Sequence, residues 1–142
     1  MSETADVMAW IERLRQAVDA HDLDRLVACF APDYINVTPL HPARSFSGRD
    51  QVRANWQRIF AGVPDITAAI LRTAVDGTTL WSEWEMRGTR NDGAAHLMRG
   101  VIVFEVVEDV ATTARFYLEP VDTSDDNVDA AVGRLVEPGA TR

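Results

Sequence analysis

The period of the hydrophobic pattern changes once along this chain, near Ile66, and that change does most to limit what it can fold into. Before it, apolar residues recur every three or four positions, as along one helical face. After it they alternate, as on a strand with one buried side. Hairpin signals punctuate the second half at Asp76-Gly77, Asn91-Asp92-Gly93 and Glu108-Asp109. The pattern therefore predicts four strands, over 66–75, 78–89, 94–107 and 110–121, joined as neighbours in a mainly antiparallel sheet.

The first half predicts helices. Val7, Ile11, Leu14 and Val18 form the stripe of one helix over 3–21, with Ser2 as its cap and Glu3 and Asp6 at its positive end. Asp22 opens a short second helix over 23–30, with Leu23, Leu26, Val27 and Phe30 facing inward and Pro32 as its stop. Residues 34–37 read as a short strand, followed by a proline loop holding Leu40, His41 and Arg44. Ser47 and Asp50 make an S-x-x-D capping signature for a third helix ending near residue 61, with Val52, Trp56, Ile59 and Phe60 as its stripe. A sheet with one face to bury and three helices to cover it gives an α+β domain, a curved antiparallel sheet wrapped on three N-terminal helices. Residues 1–122 are expected to form this single domain, and 123–142 an acidic tail. For the tail, a short helix through Val128, Ala131, Val132 and Leu135 and a disordered terminus both stay open.

Composition narrows the function classes. A chain of 142 residues can bury roughly 70% of its unfolded surface without a staple. Its net charge of −8 offers no basic stripe for nucleic acid. Cys29 is the only cysteine and sits among apolar neighbours, which favours an inert buried thiol. Three scattered histidines give no metal-ligand spacing, and no nucleotide or cofactor motif occurs, so neither a metal nor a cofactor is expected. No signal peptide and no membrane span can be read, and the expected compartment is the cytoplasm.

Alternation assigns the faces of the long strands. Leu80, Ser82, Trp84, Met86 and Gly88 share one side, aligned with His96, Met98, Ile102 and Phe104 on the next strand and Ala114, Phe116 and Leu118 on the last. This set is apolar apart from His96 and Ser82, so it is taken as the inside. Trp81, Glu83, Glu85, Arg87, Arg99, Arg115, Tyr117 and Glu119 then fall outside. On such a face cross-strand Glu–Arg pairs are expected, and aromatics among arginines suggest an interface. Tyr34 and Asn36 share a face of the short strand, either as polar groups at a pocket floor or as a pair that holds the strand. Trp56 and Trp84 are read either as core or as pocket lining. His96 is read either as an acid or base or as a rim histidine, and His41 either touches ligand or is solvated.

The order of elements resembles the nuclear transport factor two-like superfamily, and within it the SnoaL-like branch. The resemblance rests on Phe30-Ala31-Pro32-Asp33 closing the second helix, the proline loop, Gly48-Arg49-Asp50 opening the third, and Arg115 through Val121 ending the meander. It covers about residues 6–122 and implies a cone with a pocket at its open end, in a family of isomerases, cyclases, epoxide hydrolases, dehydratases and non-catalytic modules. Family members commonly dimerise through the outer sheet face, so a homodimer is expected. Tyr34-x-Asn36 with Pro39-Leu40-x-Pro42-Ala43 is similar to the stretch that holds a nucleophilic water in limonene epoxide hydrolases. The Asp–Arg–Asp relay of those enzymes would fall on Met86, Trp84 and Phe116, which cannot move protons. The isomerase-type base would fall on Thr38, a poor base.

Two functions follow as expectations. One is a pocket for an apolar, cyclic small molecule, formed by Tyr34, Asn36, His41, Trp56, Trp84, Met86, His96, Met98, Phe116 and Leu118, with catalysis left open. The other is a non-catalytic binding or dimerisation module. The first expects an open cavity with convergent polar groups, the second a filled core.

Overall fold

The computed structural model describes residues 2–139. Helices α1 (Glu3–Asp19), α2 (Leu23–Ala28) and α3 (Arg49–Gly62) pack on a six-stranded sheet. Its strands are β1 (Phe30–Val37), β2 (Phe46–Ser47), β3 (Thr67–Asp76), β4 (Thr79–Thr89), β5 (Ala95–Val107) and β6 (Val110–Pro120), in the order β2-β1-β6-β5-β4-β3. All neighbours are antiparallel except β1 and β6, which run parallel. A fourth helix, α4 (Val128–Val136), forms in the tail, capped by the Asn127 side chain; the tail is therefore helical there. No described helix is long and apolar enough to cross a membrane.

Helix α1 starts where Ser2 accepts from the Ala5 amide and buries Val7, Trp10, Ile11, Leu14 and Val18. Trp10 is wholly enclosed, and its indole N–H donates to the Cys29 carbonyl at 2.9 Å, which ties α1 to the end of α2. Cys29 is buried, and burial pushes its thiol above the usual range, against the weaker pull of Arg13 and Arg25. The far end of α1 is tied to β3, where Asp19 accepts from the Ala68 amide at 2.8 Å.

Two local expectations are corrected. The second helix ends at Ala28, and Phe30 already belongs to β1, so Pro32 lies within a strand instead of stopping a helix. Proline is tolerated there because the β1–β6 register slips between Phe30 and Ile35, leaving no regular ladder for its missing N–H. The cap of α3 is Gly48 at φ 96°, not Ser47. Ser47 is engaged in β2 opposite Ile35, and Gly48 donates to the Tyr34 carbonyl at 2.7 Å, so the chain must turn through a left-handed residue before the helix.

The faces of the sheet follow the alternation. Leu80, Ser82, Trp84 and Met86 are buried while Trp81 is 51% exposed. Register shifts leave Leu71 of β3 and Thr112 of β6 as extra residues, and these bulges bend β3 and β6. Gly100 has φ 152°, and a Cβ there would lie 2.0 Å from the Tyr117 carbonyl oxygen, so β5 and β6 approach at a point only glycine allows. On the outer face Glu85 stands opposite Arg99, which donates to it at 2.8 Å, while Arg87 donates at 2.6 Å. The Arg87 and Arg99 hydrogen bonds hold the Glu85 carboxyl below the usual carboxylate range. Glu85–Arg99 is a cross-strand pair of the kind the alternation predicts, whereas Arg87 reaches Glu85 along β4 itself.

Candidate functional site

Between the helices and the inner sheet face lies a cavity of about 300 Å³. Its walls are mostly apolar. Trp84, Met86, Met98, Phe116 and Leu118 come from the sheet, and Trp56 comes from α3. Trp84 is fixed in place: its indole donates to Ser82 Oγ at 2.8 Å, and Ser82 donates to the Ile102 carbonyl at 2.7 Å. Its N–H is thereby spent, so the ring presents only apolar surface to the cavity.

One wall is polar. The Tyr34 hydroxyl donates to Asn36 Oδ1 at 2.7 Å, and Asn36 Nδ2 donates to Thr38 Oγ1 at 3.3 Å. Strand alternation produces this row, since residues 34, 36 and 38 point the same way. All three line the cavity. Burial pushes the Tyr34 phenol above its ordinary range, so it remains a neutral donor. The row can therefore hold a ligand oxygen but supplies no base.

The mouth is charged, which corrects the expectation of an uncharged inner surface. Glu119 lines the cavity although alternation places it outside. It lies near the end of β6, where the loop between β1 and β2 comes over it. His41 Nε2 sits 2.8 Å from Glu119 Oε1, and Arg44 Nη1 sits 3.9 Å from Oε2. Arg44, on the turn Pro42–Arg44, also lines the cavity. His96 lines it from β5, as does Asn55 from α3.

Of the expected site residues, the cavity brings together Tyr34, Asn36, Trp56, Trp84, Met86, His96, Met98, Phe116 and Leu118. His41 is not in the lining; its ring is turned to Glu119. Sequence reasoning missed Arg44, Asn55 and Glu119 as lining residues. Asn55 had a readable signal, because it stands three residues after Val52 and four before Ile59, on the face of α3 already assigned inward. Glu119 had none, because two-residue alternation carries no information about where a strand end meets a loop. Among the described residues no cluster of three or more His, Cys, Asp or Glu could hold a metal.

A helix-covered, mostly antiparallel sheet with a cavity under the helices defines the class of this protein: an α+β fold of the nuclear transport factor two-like type. The profile of the SnoaL-like domain matches residues 11–113, and the chain belongs to that family. No curated protein sequence matches the chain at a significant level. Solved structures share the fold. A Mycobacterium tuberculosis LEH-like epoxide hydrolase superposes with TM-score 0.71 at 19% identity, over 83% of this chain and 86% of that one. A Mycobacterium tuberculosis protein in complex with estradiol-17beta-hemisuccinate gives TM-score 0.67 at 18% identity, over 79% and 92%. A Catenulispora acidiphila protein of ketosteroid isomerase-like fold in complex with trimethylamine gives 0.66 at 15%, over 76% and 84%. At these identities the likeness is one of fold.

Proposed function

We propose that this protein binds an apolar, cyclic small molecule in the cone, oriented by the Tyr34–Asn36–Thr38 row. One observation carries the reading: a cavity of about 300 Å³ lies among Trp56, Trp84, Met86 and Phe116, where a purely structural module would be filled. That volume is at the small end of the usual range for ligand sites, about 300–1,000 Å³, and suits one or two rings. Two relatives of the same fold are solved with small molecules bound, which agrees with this use of the cone. The hydrolase relay is not part of the reading, because the resemblance puts its members on Trp84, Met86 and Phe116, which cannot move protons. The chemistry on offer is positioning of a ligand oxygen by neutral donors.

The test is tryptophan fluorescence with naphthylethanol, a neutral two-ring probe. Wild type is expected to bind it saturably at one site. Leu118→Trp, which fills the cavity from β6, is expected to abolish binding while circular dichroism stays the same. Unsaturable quenching, equal in both proteins, would refute the reading.

We further propose a homodimer through the outer sheet face. Trp81 is half exposed there, on the same face as the Glu85–Arg99 pair and four residues from Glu85 along β4, a mix of aromatic and arginine typical of interfaces. Sedimentation of a monomer at micromolar concentration would reject it.

A further inference from the structure

The polar groups of the cavity differ in what they have left to give. Asn36 Oδ1 already accepts from Tyr34, while Asn36 Nδ2 donates one of its two hydrogens, to Thr38. Asn55 Oδ1 accepts from Gln51 Nε2 at 2.8 Å, which leaves its own amide hydrogens unspent. At the mouth, Glu119 Oε1 lies 2.8 Å from His41 Nε2 and its Oε2 lies 3.9 Å from Arg44 Nη1. The Arg44 guanidinium has five N–H donors, and among the described residues it makes no hydrogen bond; its nearest carboxylate oxygen is 3.9 Å away. Asn36, Asn55 and Arg44 thus keep unspent donors in the cavity lining, while the amide oxygens of both asparagines are engaged.

The free donors lie at two depths. Asn36 is opposite Ala114 in the parallel β1–β6 ladder, and both are buried. Glu119 is five residues further along β6, or about 16 Å at about 3.3 Å per residue. There the Arg44 side chain is 62% exposed. A guanidinium with an unspent fork at the mouth of an apolar cavity matches a carboxylate in shape and charge. His41 lies 2.8 Å from Glu119 Oε1, so that oxygen of the one lining carboxylate already has a partner, and the Arg44 donors are not spent on it.

We propose that the ligand is an amphipathic acid: an apolar one- or two-ring body in the cone, an oxygen acceptor at Asn36, and a carboxylate at the mouth held by Arg44. This deepens the pocket reading and rests on it. It also names Arg44 as the residue that sets ligand charge, a role that alternation along the strands does not reveal.

Three probes of one shape separate the two ideas: naphthylacetate, naphthylethanol and naphthylethylamine, titrated into the full chain by tryptophan fluorescence. For wild type at low salt, the acetate is expected to bind about tenfold tighter than the alcohol, as one charge-assisted contact at a half-exposed rim allows. The amine is expected to bind more weakly than the alcohol. Arg44→Gln should bring the acetate-to-alcohol ratio to about one. Arg44→Lys should leave an intermediate ratio, because it keeps the charge and loses the fork. Arg53→Gln, at a residue that pairs with Asp24 and is not in the cavity lining, should leave the ratio unchanged. Equal binding of acetate and alcohol, a preference for the amine, or a ratio insensitive to Arg44 overturns the inference while the pocket reading stands. Failure of all three probes to bind overturns both.

Discussion

Replacing Tyr34 by Phe removes one oxygen from a site that is 1% exposed, and its effect can be worked out in advance. The lost hydroxyl donates to Asn36 Oδ1 at 2.7 Å, so the variant leaves a buried carbonyl oxygen without its donor. An unpaired polar group in a dry interior costs about 1–3 kcal/mol. Asn36 borders the cavity, where water can reach it, so the expected loss is near the bottom of that range, about 1–1.5 kcal/mol. For a domain of this size the melting temperature should fall by about 3–7 °C. Asn36→Ala should cost more, about 2 kcal/mol, because the stranded Tyr34 hydroxyl is the more deeply buried partner. Because the two side chains share one bond, the double variant should lose about 1 kcal/mol less than the sum of the singles. Urea unfolding of the four proteins measures this directly. Additivity within about 0.3 kcal/mol would show that the hydroxyl and the amide are not partners, and the polar wall would have to be redrawn.

Gly100→Ala should lose more than about 3 kcal/mol by urea midpoint or fail to accumulate as folded protein, since its Cβ would meet the Tyr117 carbonyl oxygen and the Leu118 Cα at 2.0 and 2.8 Å. Gly93→Ala, at φ 86° but with nothing within 4 Å, should lose only about 1 kcal/mol, which separates backbone conformation from steric overlap. On alkaline titration of the folded protein Tyr34 should resist forming phenolate, because burial raises its pKa. The unfolded chain, with its phenols near pKa 10, releases that proton first, so stability is intact below about pH 10 and declines as pH rises above it. A Tyr34 phenolate that forms in the folded state as readily as in the unfolded chain would contradict its burial.

The long strands were legible because alternation over ten or more residues leaves one arrangement in which Trp84, Met86, Phe116 and Leu118 share a face. The same rule made Tyr34 and Asn36 partners on one side of β1. It failed where tertiary contacts override local pattern. Phe30 and Pro32 look like the end of a helix, yet the neighbouring β6 recruits them into a strand through the contact of Phe30 with Ala111. Ser47 carries a capping signature, but its place in β2 leaves the turn to Gly48. The cavity mouth was invisible for a related reason. Arg44 and Glu119 are 75 positions apart by their numbering, and only the loop folding over the end of β6 makes them neighbours.

The central claim is that the space among Trp56, Trp84, Met98 and Phe116 is open to a ring. Methyl spectra of protein labelled at methionine, titrated with naphthylethanol, address it most directly. Met86 and Met98 line the cavity, whereas Met8 lies on α1 at 36% exposure, away from it. The Met86 and Met98 resonances should move together and saturate under the ring current of the probe, with Met8 unmoved. Static Met86 and Met98 signals, or shifts shared equally with Met8, would mean that the cone is filled and the account of a ligand site is wrong.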